Sequence, residues 1–372
     1  MSNRREFLKD LAGATAGVFF VGCGCVDAAA GWMQSGGTGK RREVVIGGRR
    51  VRTVDIHCHC YTHDVWDLVK DFKEAQPLRT MLDTTDGKKL NITNLGDRLR
   101  QMDEQGIDVQ AVCLSATSLF YWTERDLSRR VMKIQNEKIA ELCAAHPDRF
   151  VGLAAVALQH PDLAAEQLEE ATKKLDMRGC MITPTVNGEE LSAPKFHPFW
   201  AKAEELGSFV FMHPRGFPEG EKRLQGNGNL GNVIGNPLET TVALSHLIFE
   251  GTLDRFPRLK LCAAHGGGFL TSYIGRSDHC AASNPGLCKP VQKRPSEYLK
   301  QLYFDSVVYT AEGLRHVIAE TGASQILLGT DFPYAMGNPR SVDHILGTPG
   351  LSDAERIAIL GGNAAKLLRI GA

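Results

Sequence analysis

Apolar runs of strand length recur along the chain, separated by stretches with helical spacing. The strand-like runs are Val51–Cys58, Ile107–Leu114, Phe150–Leu158, Gly179–Val186, Phe209–His213, Leu259–Ala264, Leu302–Val307 and Ile326–Gly329. Between them, Leu95–Gln105, Leu127–His146, Pro161–Leu175, Phe199–Leu206, Pro237–Phe256, Ala311–Thr321 and Ser352–Leu368 place apolar residues at helical intervals. Pro147 stops the second of these, and Ser352-x-x-Glu355 is a capping box opening the last. Strands alternating with helices predict βα units around a parallel sheet. Eight such units predict an α/β fold of the (β/α)8 TIM-barrel type. Two long intervals break the rhythm: Tyr61–Lys89, an insertion expected over the barrel mouth, and the Gly/Asn-rich loop Gly216–Gly235.

Composition narrows the class. The 372 residues carry 43 Lys+Arg against 43 Asp+Glu, a net charge of zero, which argues against a nucleic-acid partner. Hydrophobic residues make up 43% and charged residues 23%, ordinary globular usage. Ten cysteines in a chain this long do not form a disulfide-stapled scaffold.

The N-terminus has its own pattern. Arg4-Arg5-Glu6-Phe7-Leu8-Lys9 precedes an apolar stretch from Leu11 to Cys25, too short for a spanning helix of about twenty residues. It resembles a twin-arginine export signal. Ala28-Ala29-Ala30 offers a cleavage site, and Phe20-Val21-Gly22-Cys23 an imperfect lipobox with Cys23 as lipid anchor. The expected organisation is a signal over residues 1–30, a linker with a short hairpin over 31–50, and a catalytic barrel over 51–372. The signal implies a periplasmic or membrane-anchored protein, with the membrane engaged only through that segment; without a working signal the address is cytoplasmic.

The chemistry-bearing residues fall at strand ends. His57 and His59 close the first strand, His213 the fifth, His265 the sixth and Asp331 the eighth. Residues two apart on a strand face the same way, so both first-strand imidazoles point inward while Cys58 and Cys60 point away. A cysteine ligand from the His57-Cys58-His59-Cys60 run stays open but is disfavoured by that alternation. Imidazoles and a carboxylate converging on the C-terminal face of a barrel make a site for a first-row metal, zinc first and manganese second.

At these residues the chain resembles the amidohydrolase superfamily, in its decarboxylase branch. The strings that carry the likeness include Asp55-x-His57-x-His59, Glu239-Thr240-Thr241, His265-Gly266-Gly267-Gly268, Leu328-Gly329-Thr330-Asp331-Phe332-Pro333 and Gly362-Asn363-Ala364. The resemblance implies that His57, His59, His213 and Asp331 hold the metal and that His265 is the acid/base. Asp331 would also take part in proton transfer. Arg276 would reach into a neighbouring subunit's site and hold a substrate carboxylate, which implies a homodimer. A second carboxylate-binding Arg of the relatives aligns near Lys89, which lacks a guanidinium's planar two-point contact. Arg215 in His213-Pro214-Arg215 resembles the aromatic-acid decarboxylases instead. The bridging Lys of dinuclear members is absent from the fourth strand, which offers Thr183 and Thr185, so one metal is expected. The expected reaction is nonoxidative decarboxylation of a small aromatic or unsaturated carboxylic acid. Hydrolysis of a lactone, ester, amide or C–C bond by the same centre is the alternative, and an inactive exported binding protein the third reading.

Overall fold

The computed structural model describes residues 41–371. The twin-arginine signal expected at residues 1–30, with Cys23, lies outside the described residues. The described chain opens with a hairpin, β1 (Val44–Ile46) antiparallel to β2 (Arg49–Val51). Gly47 and Gly48, at φ 56° and 77°, make its two-residue turn, a conformation that side chains with a Cβ resist.

Eight parallel strands follow: β3 (Val54–Cys60), β4 (Val109–Leu114), β5 (Phe150–Ala155), β6 (Gly179–Ile182), β9 (Phe209–Met212), β10 (Lys260–Ala263), β11 (Tyr303–Asp305) and β12 (Ile326–Leu327). A small hairpin, β7 (Thr185–Val186) with β8 (Glu189–Glu190), sits between β6 and β9. Each neighbouring pair runs parallel, in the order β12-β11-β10-β9-β6-β5-β4-β3. The ring closes because the segment after β12 hydrogen-bonds back to β3. The Ile56 amide donates to Leu328 O at 2.9 Å, the Asp331 amide to His57 O at 2.8 Å and the His59 amide to Phe332 O at 2.7 Å. The fold is therefore the (β/α)8 barrel that the sequence pattern predicts.

The strands bury almost every residue, as parallel strands covered on both faces must. Helices Leu95–Gln105, Arg125–Ala145, Pro161–Lys174, His197–Leu206, Asn236–Phe249, Leu270–Ser283 and Ala311–Thr321 alternate with them. The expected terminal helix is one run interrupted by a π segment at Ala358–Gly362, with Ser352 and Glu355 forming the reciprocal capping box. Among the described residues no helix is long and apolar enough to cross a membrane.

The interval after β3 folds into short helices that pack as a lid on the barrel mouth. Tyr61, Val65, Val69, Leu78 and Leu90 form a buried apolar cluster with Phe120 and Val131, and Tyr334 packs against it. That cluster fixes the insertion to the loops after β4 and β12, and so to the end of the barrel where the polar residues collect.

Candidate active site

Four histidines and an aspartate meet inside the mouth. His57 and His59 leave β3 on the same side, two residues apart, and both are fully buried. His213 directly follows β9, held by its amide to Ile182 O at 2.9 Å. His265 and Asp331 come from loops beyond β10 and β12, with left-handed φ of 55° and 58°. Non-glycine residues adopt this region at a cost of about 1–2 kcal/mol, and it recurs where a side chain must be aimed. The glycine run after His265 makes the turn feasible: a Cβ on Gly268 would stand 2.1 Å from Pro237 O.

The geometry separates the two oxygens of Asp331. Its Oδ1 faces His57 Nε2 at 3.1 Å, His59 Nε2 at 3.2 Å and His213 Nε2 at 3.9 Å. Its Oδ2 faces His265 Nε2 at 3.6 Å. Ligand atoms of His57, His213, His265 and Asp331 all lie within 4.8 Å of one another. His59 joins this set through its contact with Oδ1.

Three of these imidazole nitrogens (Nε2 of His57, His59 and His213) and Asp331 Oδ1 are buried without a hydrogen-bond partner. Buried polar atoms left unpaired are costly, so four of them aimed at one point need a common partner. Atoms ligating a cation tetrahedrally at about 2.0–2.1 Å stand about 3.3 Å from each other, close to the spacing seen. The donor set of imidazoles and one carboxylate suits a single divalent first-row metal, so the residues fit the ion that the sequence pattern implies.

The outer nitrogens are committed. His59 Nδ1 donates to Leu114 O at 2.9 Å, and His57 Nδ1 donates to Asp305 Oδ2 at 2.5 Å. Both bonds fix the tautomer that leaves Nε2 free to ligate. Burial pulls the imidazoles of His59 and His213 below the ordinary histidine range, most strongly at His213, which keeps them neutral. Burial also pulls on His57, but Asp331 and Asp305 together overcome it and lift this imidazole to about 10. For Asp331 burial opposes ionisation, yet His57, His265 and His59 hold its carboxyl well below the usual carboxylate range.

Asp305, Gln110, Arg98 and Tyr334 were not singled out from the sequence, and Asp55 only within its motif. Asp305 ends β11 and also accepts the amides of Gly266 at 2.9 Å and Val307 at 3.1 Å. It thus ties His57 to the loop of His265. The strand-end criterion that finds His213 and Asp331 also finds Asp305 when applied to the seventh barrel strand. Asp55 accepts from the Thr330 hydroxyl at 2.7 Å and from Gln110 at 3.0 Å, and Gln110 in turn accepts from the buried Arg98 guanidinium at 2.9 Å. Tyr334 lies 5.3 Å from His59, ring to ring, and its hydroxyl is 2.6 Å from Ser115 Oγ.

The cysteines stay apart from this centre. Cys58 and Cys60 are buried free thiols pushed up by burial, Cys60 to about 12, so neither is a ready thiolate ligand. Cys113 comes within 3.5 Å of His59 Nδ1, on the side of the ring away from the ligating nitrogen.

A cavity of about 740 Å³ opens at the loops after β4, β6 and β9; the four histidines and Asp331 are not in its wall, but Arg215, two residues beyond His213, is. Thr183, next after Ile182, whose carbonyl accepts the His213 amide, lies in its wall, as do Arg215 and Glu239. Glu239 accepts the Arg215 amide at 2.8 Å and the Thr185 hydroxyl at 3.1 Å. Burial lifts its carboxyl to about 7. Lys89 lies elsewhere, and Arg276 was expected at a neighbouring copy's site. Lys89 sits on helix Thr85–Leu90, 3.8 Å from Asp86, and outside the cavity wall. Arg276 is exposed on helix Leu270–Ser283 and has no ion-pair partner among the described residues.

An eight-stranded parallel barrel with imidazoles and one carboxylate at its C-terminal mouth defines the class: a metal-dependent barrel enzyme. The family model described as amidohydrolase matches residues 54–370, and the chain belongs to that family. It is 30% identical to a 2-amino-3-carboxymuconate-6-semialdehyde decarboxylase of Dictyostelium discoideum, over 73% of this chain and 75% of that protein. The structure of 5-carboxyvanillate decarboxylase from Sphingomonas paucimobilis superposes with a TM-score of 0.78 at 25% identity, covering 86% of this chain and all of that one. A dihydroxybenzoic acid decarboxylase from a Polaromonas species, solved with manganese and the inhibitor 2-nitroresorcinol, gives a TM-score of 0.72 at 26% identity over 86% of this chain and 97% of its own.

Proposed function

We propose that this protein is a carboxy-lyase that removes CO2 without oxidation from an aromatic or unsaturated carboxylic acid. The observation that carries the reading is the division of Asp331, with Oδ1 turned to three imidazoles and Oδ2 turned to His265. It is supported by decarboxylases among the similar proteins. His57, His59, His213 and Asp331 would hold one divalent ion, zinc or manganese. When bound, the ion supplies Lewis acidity and a template for a carboxylate and a neighbouring oxygen.

The remaining chemistry belongs to the side chains. His265 Nε2, 3.6 Å from Asp331 Oδ2 and partly open to the mouth, holds the proton that is delivered to the ring carbon bearing the carboxylate. The C–C bond then breaks, its electron pair restores the ring, and CO2 leaves. Arg215 in the cavity wall attracts the acid locally, which suits a chain of zero net charge. The lid built on Val65, Val69 and Leu78 keeps water from the reacting carbon.

The partner subunit and the address extend this reading. Arg276, exposed one turn from Tyr273, which is 68% exposed, would enter the neighbouring copy's mouth in a homodimer. The Arg4-Arg5 motif would send the folded protein across the membrane, and replacing both with Lys should retain it in the cytoplasm. The deciding experiment supplies metal-loaded protein with hydroxylated benzoates and muconate-type acids and follows CO2 and absorbance. CO2 release without water uptake supports decarboxylation. A product with an added carboxyl or hydroxyl group turns the reading to hydrolysis.

A further inference from the structure

The cavity lined by Thr183 and Arg215 is larger than a one-ring acid needs. At about 740 Å³ it lies in the upper part of the range of pockets that enclose drug-sized ligands, about 300–1,000 Å³. A single hydroxybenzoate ring held at the histidines would leave most of it to water.

Its walls differ in chemistry. Its apolar lining is Leu119, Phe120 and Phe217; the first two are almost fully buried, Phe120 in the lid cluster, so the half-buried Phe217 presents the open ring face. Phe217 packs against the π segment Gly231–Gly235, which runs into helix Asn236–Phe249. That extra residue in the turn, a device common at functional sites, brings Asn232, Asn236 and Glu239 to the cavity together. Asn232 and Asn236 are half-buried, and their carboxamides make no hydrogen bond to the described residues. Glu239 is 4% exposed and spends its oxygens on Arg215 and Thr185, so it braces this wall.

We infer that the cavity is a distal subsite for a second ring carrying hydroxyl or amide groups, so that the preferred acid is a two-ring aromatic carboxylic acid. This rests on the decarboxylase reading for the position of the carboxylate, at the histidines and Arg215. An apolar second ring would strip water from the two carboxamides and give nothing back. A second anionic group would meet Glu239 and Glu221, both in the wall. A ring with neutral donors and acceptors satisfies the carboxamides while its face lies on Phe217.

The test is calorimetric binding to the metal-loaded protein, with turnover measured in parallel. The probes are 2,6-dihydroxybenzoate, 2-hydroxybiphenyl-3-carboxylate, and the latter with a hydroxyl on its distal ring. The hydroxylated biphenyl acid is expected to bind at least tenfold tighter than the one-ring acid. Asn236→Leu is expected to cost it at least fivefold more than the one-ring acid, and Asn232→Ala gives a second reading of the same wall. Equal or tighter binding of the one-ring acid, a preference for the plain biphenyl acid, or an equal loss for all three probes overturns the inference. Binding in the expected order without any CO2 release would instead overturn the decarboxylase reading and leave the subsite standing.

Discussion

Asp305 accepts the Nδ1 proton of His57 at 2.5 Å, with both side chains fully buried and 248 residues apart in the chain. The same carboxylate accepts the Gly266 amide next to His265. One acid group therefore orients a proposed metal ligand and the loop of the proposed acid/base. Replacing Asp305 by Asn should weaken metal binding about 10–100-fold, the usual cost of losing such a partner. Metal titration of the purified variant measures this, and an unchanged affinity would show that packing alone orients His57.

The two faces of Asp331 predict opposite outcomes for two histidines. His265→Asn should lower turnover on the order of 10²–10⁴-fold. It should leave the bound metal nearly stoichiometric, because His265 faces Oδ2. His59→Asn should lose metal, because His59 faces Oδ1 with a free Nε2. Elemental analysis beside a CO2 assay separates the cases. Loss of metal from the His265 variant would make that residue a ligand.

Metal loading should release protons. Although burial lowers the His57 imidazole, Asp331 and Asp305 lift it to about 10, so the metal-free site holds a proton there at neutral pH. An ion that takes Nε2 must displace it. Affinity should rise with pH between 6 and 9, and calorimetry in buffers of different ionisation heat should show about one proton released per ion. Binding heats that do not depend on the buffer would contradict this.

Glu239 should make the fold less stable as pH rises. Its carboxyl moves from 4.5 to about 7 on burial, so the folded chain holds this proton more tightly than the unfolded chain. The penalty is absent below pH 4.5, grows as pH climbs to about 7, and is then constant at up to about 3 kcal/mol. Glu239→Gln removes the titration. Its melting temperature relative to the unsubstituted protein should therefore be higher at pH 8 than at pH 5. A difference that does not change with pH would place the carboxyl in water.

The barrel was legible because its strands are short, apolar and buried on both faces, so that Phe209–Met212 or Lys260–Ala263 stands out from amphipathic neighbours. The proposed ligands were legible because strand ends are where such a fold presents side chains, and His57-x-His59 carries its facing in its spacing. Asp305 was missed because the apolar run Leu302–Val307 puts it inside the expected strand, whereas β11 ends at Asp305 and its partner His57 lies at the other end of the chain. Lys89 was matched by position and lies outside the cavity wall; Arg276, expected in a neighbouring copy's mouth, stands exposed on its helix.

What the sequence determined by itself was periodicity and therefore architecture: eight βα units, two long intervals at one end, and polar residues where strands stop. Tertiary structure decided everything that depends on ring closure. Only when the chain after β12 pairs with β3 does Asp331 stand opposite His57. Only the left-handed turns at His265 and Asp331 aim those side chains inward, and a local pattern of hydrophobicity carries no trace of such a φ. The cavity likewise gathers Asn232 and Asn236, from the π segment and the helix after it, into one lining with Phe120, residues that share a wall only in the folded barrel.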